Sequence, residues 1–240
     1  MIGSVIGVVS GLAAAGAACM LGPPILRRRS EVADLRRRAA GQRALVLTYD
    51  DGPGPVLTGR LLDLLAARGA VATFFLLGFR AAAAPGAVER VVAAGHEVGC
   101  HTQRHLNAWK TPPWVAGRDI DGGYRSMARW MKPDALFRPP YGKTTLMTRR
   151  ALRRRGAPVA WWTVDSGDSY DVLPDPGTVV DRVRANGGGV VLMHDYDAEG
   201  GSADRHADFV LRTTSLLLDA AEKDGLRVCR MSELLTESRP

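Results

Sequence analysis

The sequence predicts an α/β fold built on parallel strands, and three observations carry that expectation. Beyond Arg43, short apolar β-like runs alternate with longer helix-like segments, the order that parallel strands and crossover helices produce. Polar residues recur just past the C-terminal ends of those runs, at Asp50 and Asp51, His101, Arg138, Asp165 and His194. Convergence of such residues at one rim is how a βα barrel builds an active site. The chain has 240 residues and no repeat or low-complexity linker interrupts this region, which is ample for one large domain with a substantial core.

Taken in order, the apolar runs predict strands at 44–48, 71–77, 97–100, 136–138, 159–164, 190–193 and 227–229. Helical patterns are expected at 56–68, 87–94, 119–130, 144–155, 178–185 and 206–224. Ahead of them, residues 2–21 contain no charged side chain and match the length that crosses a bilayer as a helix. The expected organisation is a transmembrane helix or signal anchor at 1–26, a basic juxtamembrane linker at 27–42 and a catalytic domain at 43–237. A cleaved signal peptide is the rival, since Ala13 to Ala18 offer small residues for cleavage, but no Lys or Arg precedes the apolar run. A lipoprotein site at Cys19 is weaker, because Gly16 stands where a larger aliphatic residue is expected.

The formal net charge is +7, with much of the excess in arginine clusters at 27–43 and 149–155. No aromatic-interleaved basic motif accompanies them, so a solvated face or a membrane-proximal stretch is favoured over nucleic-acid recognition. Arg27 to Arg29 and Arg36 to Arg38 follow the apolar run directly, which would place its C-terminal side in the cytoplasm. Cys19, Cys100 and Cys229 are odd in number and widely spaced, giving neither a disulfide framework nor a CxxC metal site.

The chemistry concentrates in a few runs. In Leu45-Val-Leu-Thr-Tyr-Asp-Asp-Gly-Pro53 an apolar strand ends in two adjacent carboxylates, a costly pairing unless a cation and an arginine neutralise it. His101 and His105, in Cys-His-Thr-Gln-Arg-His, are four apart and could share one helical face as ligands of one metal, with Asp51 as the third ligand. An Asp-His-His set with open positions is the constellation of a catalytic site. Arg138 precedes two prolines that fix the backbone; it could hold Asp50 while the Tyr141 N–H faces a developing oxyanion. His194 closes the run Val190-Val-Leu-Met-His and is the remaining candidate acid. His96 reads as structural and His206 as solvated.

These motifs resemble those of the NodB-homology polysaccharide deacetylases, carbohydrate esterase family 4. The matching runs are Thr48-Tyr-Asp-Asp-Gly-Pro53, His101-Thr-Gln-Arg-His105, Arg138-Pro-Pro-Tyr141 and Leu192-Met-His194. Ala72-Thr-Phe-Phe-Leu-Leu-Gly78 and Gly95-His-Glu-Val-Gly99 support them, so the similarity spans about 43–235 in the expected order. The resemblance implies a distorted (β/α)7-type barrel that hydrolyses the N-acetyl amide of an amino sugar or glycan. It implies a divalent metal, zinc with cobalt or nickel able to serve, on Asp51, His101 and His105. Asp50, oriented by Arg138, would be the general base, and the Tyr141 amide would stabilise the oxyanion. His194 would protonate the departing nitrogen, with Leu192 lining the acetyl pocket and Pro140 a further substrate contact.

In the looser fourth motif, Trp162-Thr-Val-Asp-Ser-Gly-Asp168, Asp165 is the expected partner of His194 and Asp168 the runner-up. Ser169 stands where the family often has tryptophan, Tyr49 replaces a common phenylalanine, and Cys100 a common asparagine. Trp109, Trp114 and Tyr124 could stack on a sugar ring or belong to the core. The acidic, glycine-rich loop at 195–208 could close over the rim or simply connect. Chitin fragments, peptidoglycan and an exopolysaccharide all fit as substrates. The family points to an extracytoplasmic, membrane-anchored or secreted enzyme, whereas the arginine flank points to the cytoplasmic side. The altered fourth motif also admits a related metal amidohydrolase acting on a small non-carbohydrate amide or imide. A carbohydrate-binding or membrane-organising protein without turnover is disfavoured by the intact base, ligands and acid.

Overall fold

The computed structural model describes residues 2–198 and 203–236, with side chains described from Leu21 onward apart from Ala203. The elements run α1 (Ile2–Gly41), β1 (Ala44–Asp50), α2 (Leu57–Ala67), β2 (Thr73–Leu76), α3 (Gly78–Ala83), α4 (Pro85–Ala93) and β3 (Glu97–Cys100). They continue through α5 (Pro113–Ser126), a 3-10 turn (Pro140–Gly142), α6 (Leu146–Arg155), β4 (Val164–Asp165), α7 (Pro176–Ala185), β5 (Gly189–His194), α8 (Ala203–Asp224), β6 (Arg227–Val228) and α9 (Met231–Thr236). The strands form one parallel sheet in the order β3-β2-β1-β5-β4, with β6 beside the foot of β1.

All seven residues of β1 are buried, as expected of a central strand covered on both faces. Its alternation sorts them. Leu45, Leu47 and Tyr49 face the helices, packing with Leu57, Leu61, Val210 and others, while Ala44 and Val46 face an inner cluster with Phe75, Ala160 and Val190. Thr48 and Asp50 continue that inner face upward, so a strand apolar at its foot turns polar at its C-terminal end. β5 repeats the pattern, with Val191 and Met193 facing the helices and Val190, Leu192 and His194 alternating with them. Asp50 and His194 are register partners on neighbouring strands.

The parallel α/β expectation holds, and two of the expected strands are reduced. Residues 136–138 make single bridges, Phe137 to Cys100 and Phe137 to Val159. Pro139 and Pro140, having no N–H, end any ladder there. Residues 159–165 change partner midway: the Ala160 N–H donates to Phe137, whereas the Thr163 N–H donates to Val190. Only Val164 and Asp165 therefore remain in regular pairing.

The helix expected at 119–130 runs instead from Pro113 to Ser126, opened by a proline at its first turn. Gly122 and Gly123 let it press on the loop after β3: a Cβ built on Gly123 would lie 2.6 Å from the Thr102 carbonyl carbon and 2.8 Å from Cys100 Sγ. Two short helices, α3 and α9, fall outside the expected set.

The largest departure concerns the N-terminus. The segment expected as a basic linker, 27–42, is helical to Gly41 and docked on the domain. Leu35 and Ala39, four apart, enter the inner cluster, while Glu31 accepts hydrogen bonds from Arg149 at 2.6 Å and from Trp161 Nε1 at 2.8 Å. The side chains of 1–20, on which most of the expected membrane helix falls, lie outside the described residues. Among the described residues no helix is long and apolar enough to cross a membrane.

Candidate active site and metal centre

The end of β1 turns sharply after Asp50, with Asp51 at φ 71, and both carboxylates reach His101 Nε2, Asp50 Oδ2 at 3.7 Å and Asp51 Oδ1 at 3.4 Å. Asp50 is held from one side. Arg138, fully buried, donates from Nη1 to Asp50 Oδ1 at 2.9 Å and to Thr48 Oγ1 at 2.6 Å. Its remaining donors reach the Ala160 and Trp161 carbonyls at 3.4 and 3.2 Å, and Phe75 lies 4.1 Å beneath the guanidinium. Burial pushes the Asp50 carboxyl up, and the charges of Arg138, His194 and His105 pull against it; the net direction is up.

Asp51 faces the imidazoles. Its Oδ1 lies 3.4 Å from His101 Nε2 and 3.3 Å from His105 Nε2, and one ligand atom from each of the three residues falls within 4.8 Å of the others. The expected helical face is absent, because 101–105 is a loop with Thr102 at φ 72 and His105 at φ 60. Thr102 Oγ1 accepts the His105 N–H at 3.0 Å, and the Asp119 carbonyl of α5 accepts that of Gln103 at 2.9 Å. Left-handed backbone at a non-glycine residue costs energy and persists only where the surroundings enforce it. Of the five such residues among those described, four are Asp51, Thr102, His105 and Tyr141.

His101 Nδ1 lies 2.7 Å from the Arg138 carbonyl, which can only accept, so the proton sits on Nδ1 and the Nε2 lone pair faces Asp51. Burial pushes this imidazole down to about 3, keeping it neutral. Asp51 Oδ1 is buried without a hydrogen-bond donor. A partnerless buried carboxylate oxygen is costly, and the lone pair of His101 Nε2 offers it no proton. Two nitrogens and a carboxylate oxygen so placed fit a divalent cation.

On the other side of Asp50, His194 Nδ1 donates to Asp168 Oδ1 at 2.9 Å, and the His194 N–H donates to Oδ2 at 2.6 Å. The expected partner was Asp165. That carboxylate instead accepts the Gly167 N–H at 3.0 Å, closing the turn that brings Asp168 round. Burial alone would lower the His194 imidazole, but the charge and hydrogen bond of Asp168, with Asp50 and Asp51 behind, raise it to about 10. Burial alone would raise Asp168, but the His194 charge and hydrogen bonds hold it well below the usual carboxylate range.

His206 is buried rather than solvated, stacked 4.8 Å from Tyr196 with its Nε2 3.7 Å from Asp168 Oδ2. Sequence reasoning also missed Asp195, fully buried and accepting the Thr58 hydroxyl at 2.7 Å; burial pushes its carboxyl up to about 7. The loop after it is anchored at its start: the Asp195 N–H donates to the Asp50 carbonyl, and Asp197 accepts the N–H groups of Val56 and Leu57 at the head of α2. The only signal for these residues was their closeness in sequence to His194.

Tyr141, at φ 57, places its ring 4.6 Å from that of His105 and its backbone at the same rim. Leu192 and Pro140 are buried. Trp109 lies outside the cluster, its Nε1 donating to the Thr144 carbonyl at 3.0 Å and its ring 4.9 Å from Lys143 Nζ. Trp114 is exposed, and Tyr124 is a core residue whose hydroxyl donates to the Ala135 carbonyl. The Tyr49 hydroxyl pairs with that of Thr214, and His96 accepts the Ala72 N–H, a structural place as expected.

Residues 37–160 match the family model described as "Polysaccharide deacetylase". The chain is 33% identical over 196 residues to a peptidoglycan-N-acetylglucosamine deacetylase of Bacillus cereus, covering 81% of this chain and 89% of that protein. It is 31% identical over 204 residues to a chitooligosaccharide deacetylase of Bradyrhizobium, covering 81% and 92%. In structure it is similar to the Bc1960 peptidoglycan N-acetylglucosamine deacetylase in complex with 4-naphthalen-1-yl-N-oxidanyl-benzamide, with a TM-score of 0.71, 27% identity and coverage of 83% and 91%. With the family model spanning more than half of its residues, the chain belongs to the polysaccharide deacetylase family.

Proposed function

We propose that the protein is a metal-dependent hydrolase that removes N-acetyl groups from an amino sugar in a glycan. The observation that carries this reading is the buried, partnerless Asp51 Oδ1 between two imidazole nitrogens, with a second carboxylate and a third imidazole paired in register beside it. Asp51, His101 and His105 are the residues that would hold a divalent cation, with zinc the expected ion. Once bound there, the cation supplies Lewis-acid polarisation of the amide carbonyl.

Asp50 takes a proton from the attacking water. It is suited to this because burial raises its basicity while Arg138 fixes its orientation. The Tyr141 N–H stabilises the negative charge that develops on the carbonyl oxygen. His194, kept protonated by Asp168, delivers a proton to the departing amine nitrogen, a step the reaction needs because an unprotonated amine leaves poorly. Asp168 is thus the orienting carboxylate. Leu192 and Pro140 exclude water from the acetyl methyl.

The parallel bridges through Phe137 to Val159 support a sheet wound into the distorted barrel, with the catalytic domain at 43–237 and helix 27–41 docked against it. The relatives named for peptidoglycan and chitooligosaccharide deacetylation support a β-linked N-acetylglucosamine polymer as substrate class. The test is acetate release from chitotetraose and from peptidoglycan by the full chain, with and without chelator. Release from at least one, abolished by chelation and restored by zinc, is expected; release that ignores chelation, or none from either, overturns the proposal.

A further inference from the structure

Arg28 stands apart from the other arginines of α1. Its guanidinium lies 5.0 Å from the Trp161 ring centroid and 5.1 Å from that of Trp162, half-buried on one side of two indoles whose centroids are 6.5 Å apart. Among the described residues no carboxylate forms an ion pair with it. Glu31, one turn on, is occupied by Arg27, Arg149 and Trp161 Nε1. Burial lowers the Arg28 pKa, yet a guanidinium remains charged at any working pH.

Its place is the rim of the candidate site. A Cβ built on Gly142 would lie 2.8 Å from Arg28 Nη2 and 2.8 Å from Trp162 Cη2, so glycine at this position leaves room for the guanidinium to reach the loop. Gly142 follows Tyr141, whose ring packs on His105. Trp162 in turn lies 5.8 Å from the guanidinium of Arg138, which holds Asp50. Arg28 also lies outside residues 37–160, the span matched by the family model.

We propose that Arg28 forms an anion-recognition subsite beside the catalytic groove, taking a carboxylate or phosphate carried by the amino-sugar substrate. Packing against both indoles and Gly142 pre-orders a planar fork whose unused N–H groups suit bidentate contact with such an anion. This rests on the deacetylase reading and extends it to substrate choice.

The test compares three probes on the full chain: neutral chitotetraose, chitotetraose with a terminal phosphate, and a peptide-free tetrasaccharide alternating N-acetylglucosamine with N-acetylmuramic acid. Acetate release gives kcat/KM for each, and the readout is the ratio of anionic to neutral substrate. In Arg28→Met, which keeps an apolar stem against the indoles, that ratio falls by about tenfold for whichever anion is the natural one, while Arg28→Lys recovers part of it. Which probe loses its advantage identifies the anion. Calorimetric binding of the same probes to chelator-treated protein gives the ratio even if no acetate is released, which separates failure of the subsite from failure of the deacetylase reading. No preference for either anion in the wild type, or equal losses on all three probes in Arg28→Met, overturns the subsite.

Discussion

Asp50 and His194 are register partners on adjacent strands, yet their charges are held by opposite means. The Asp50 side is locked from below by a fully buried arginine that has four protein acceptors of its own. On the His194 side, among the described residues, no arginine pairs with the buried carboxylate; Asp168 faces two imidazoles, and the His194 ring sits nearer solvent. The difference teaches what each half must do. A base must stay ionised and fixed in a place that disfavours charge, so it needs a permanent counter-ion. An acid must give up and regain a proton, so it needs a partner that favours the charged ring without immobilising the whole pocket.

The largest break in this comparison is Arg138→Met, which leaves the Asp50 carboxylate buried and uncompensated. A loss of about 3–5 kcal/mol in unfolding free energy is expected from denaturant titration, with acetate release undetectable. Asp50→Asn separates chemistry from folding. The fold and the bound metal persist, while kcat falls by about a thousandfold, measured against metal content on the same sample.

Asp168→Asn tests the other half and leaves a softer signature. With its imidazole held at about 10 in the wild type, His194, the proposed acid, stays protonated through neutral pH. Without the Asp168 charge, burial takes over and lowers the imidazole, so the alkaline limb of kcat/KM moves down toward pH 7 or below, with about a hundredfold loss at pH 8. The stability sign follows from the same shift. His194 has a folded pKa above its unfolded 6.5, so its contribution is complete below that value and is lost as pH rises through about 10. The wild-type advantage over Asp168→Asn in thermal unfolding is therefore largest near pH 6 and shrinks toward pH 10. The smallest effect belongs to His206→Phe, which keeps the stack on Tyr196 but removes a 3.7 Å contact to Asp168. A change in kcat/KM of about threefold or less at neutral pH is expected, as for weak ion pairs at such distances.

The same contrast explains what was legible in the chain. Period-two alternation in 44–50 already places Thr48 and Asp50 above Ala44 and Val46 on one face, and β5 repeats it, so the positions of the proposed base and acid at one strand end were readable. The three candidate metal ligands were readable as residue types, but their backbone was not. The four-residue spacing of His101 and His105 suggests a helix, whereas the chain reaches the same convergence through left-handed residues that no periodicity encodes. Asp165 and Asp168 differ only by the turn at Gly167, a choice made by local geometry rather than composition. The docking of residues 27–41 was hidden for another reason: Leu35 and Ala39 form a short stripe among six arginines, and charge outweighs so narrow an apolar face when residues are read by composition.

The most direct test of the account is metal stoichiometry, measured by elemental analysis after zinc loading and gel filtration, in the wild type and in a His101→Ala/His105→Ala double variant of confirmed fold. The account predicts one tightly held equivalent in the wild type and none in the variant. An equal metal content in both proteins, or none in either, would contradict it.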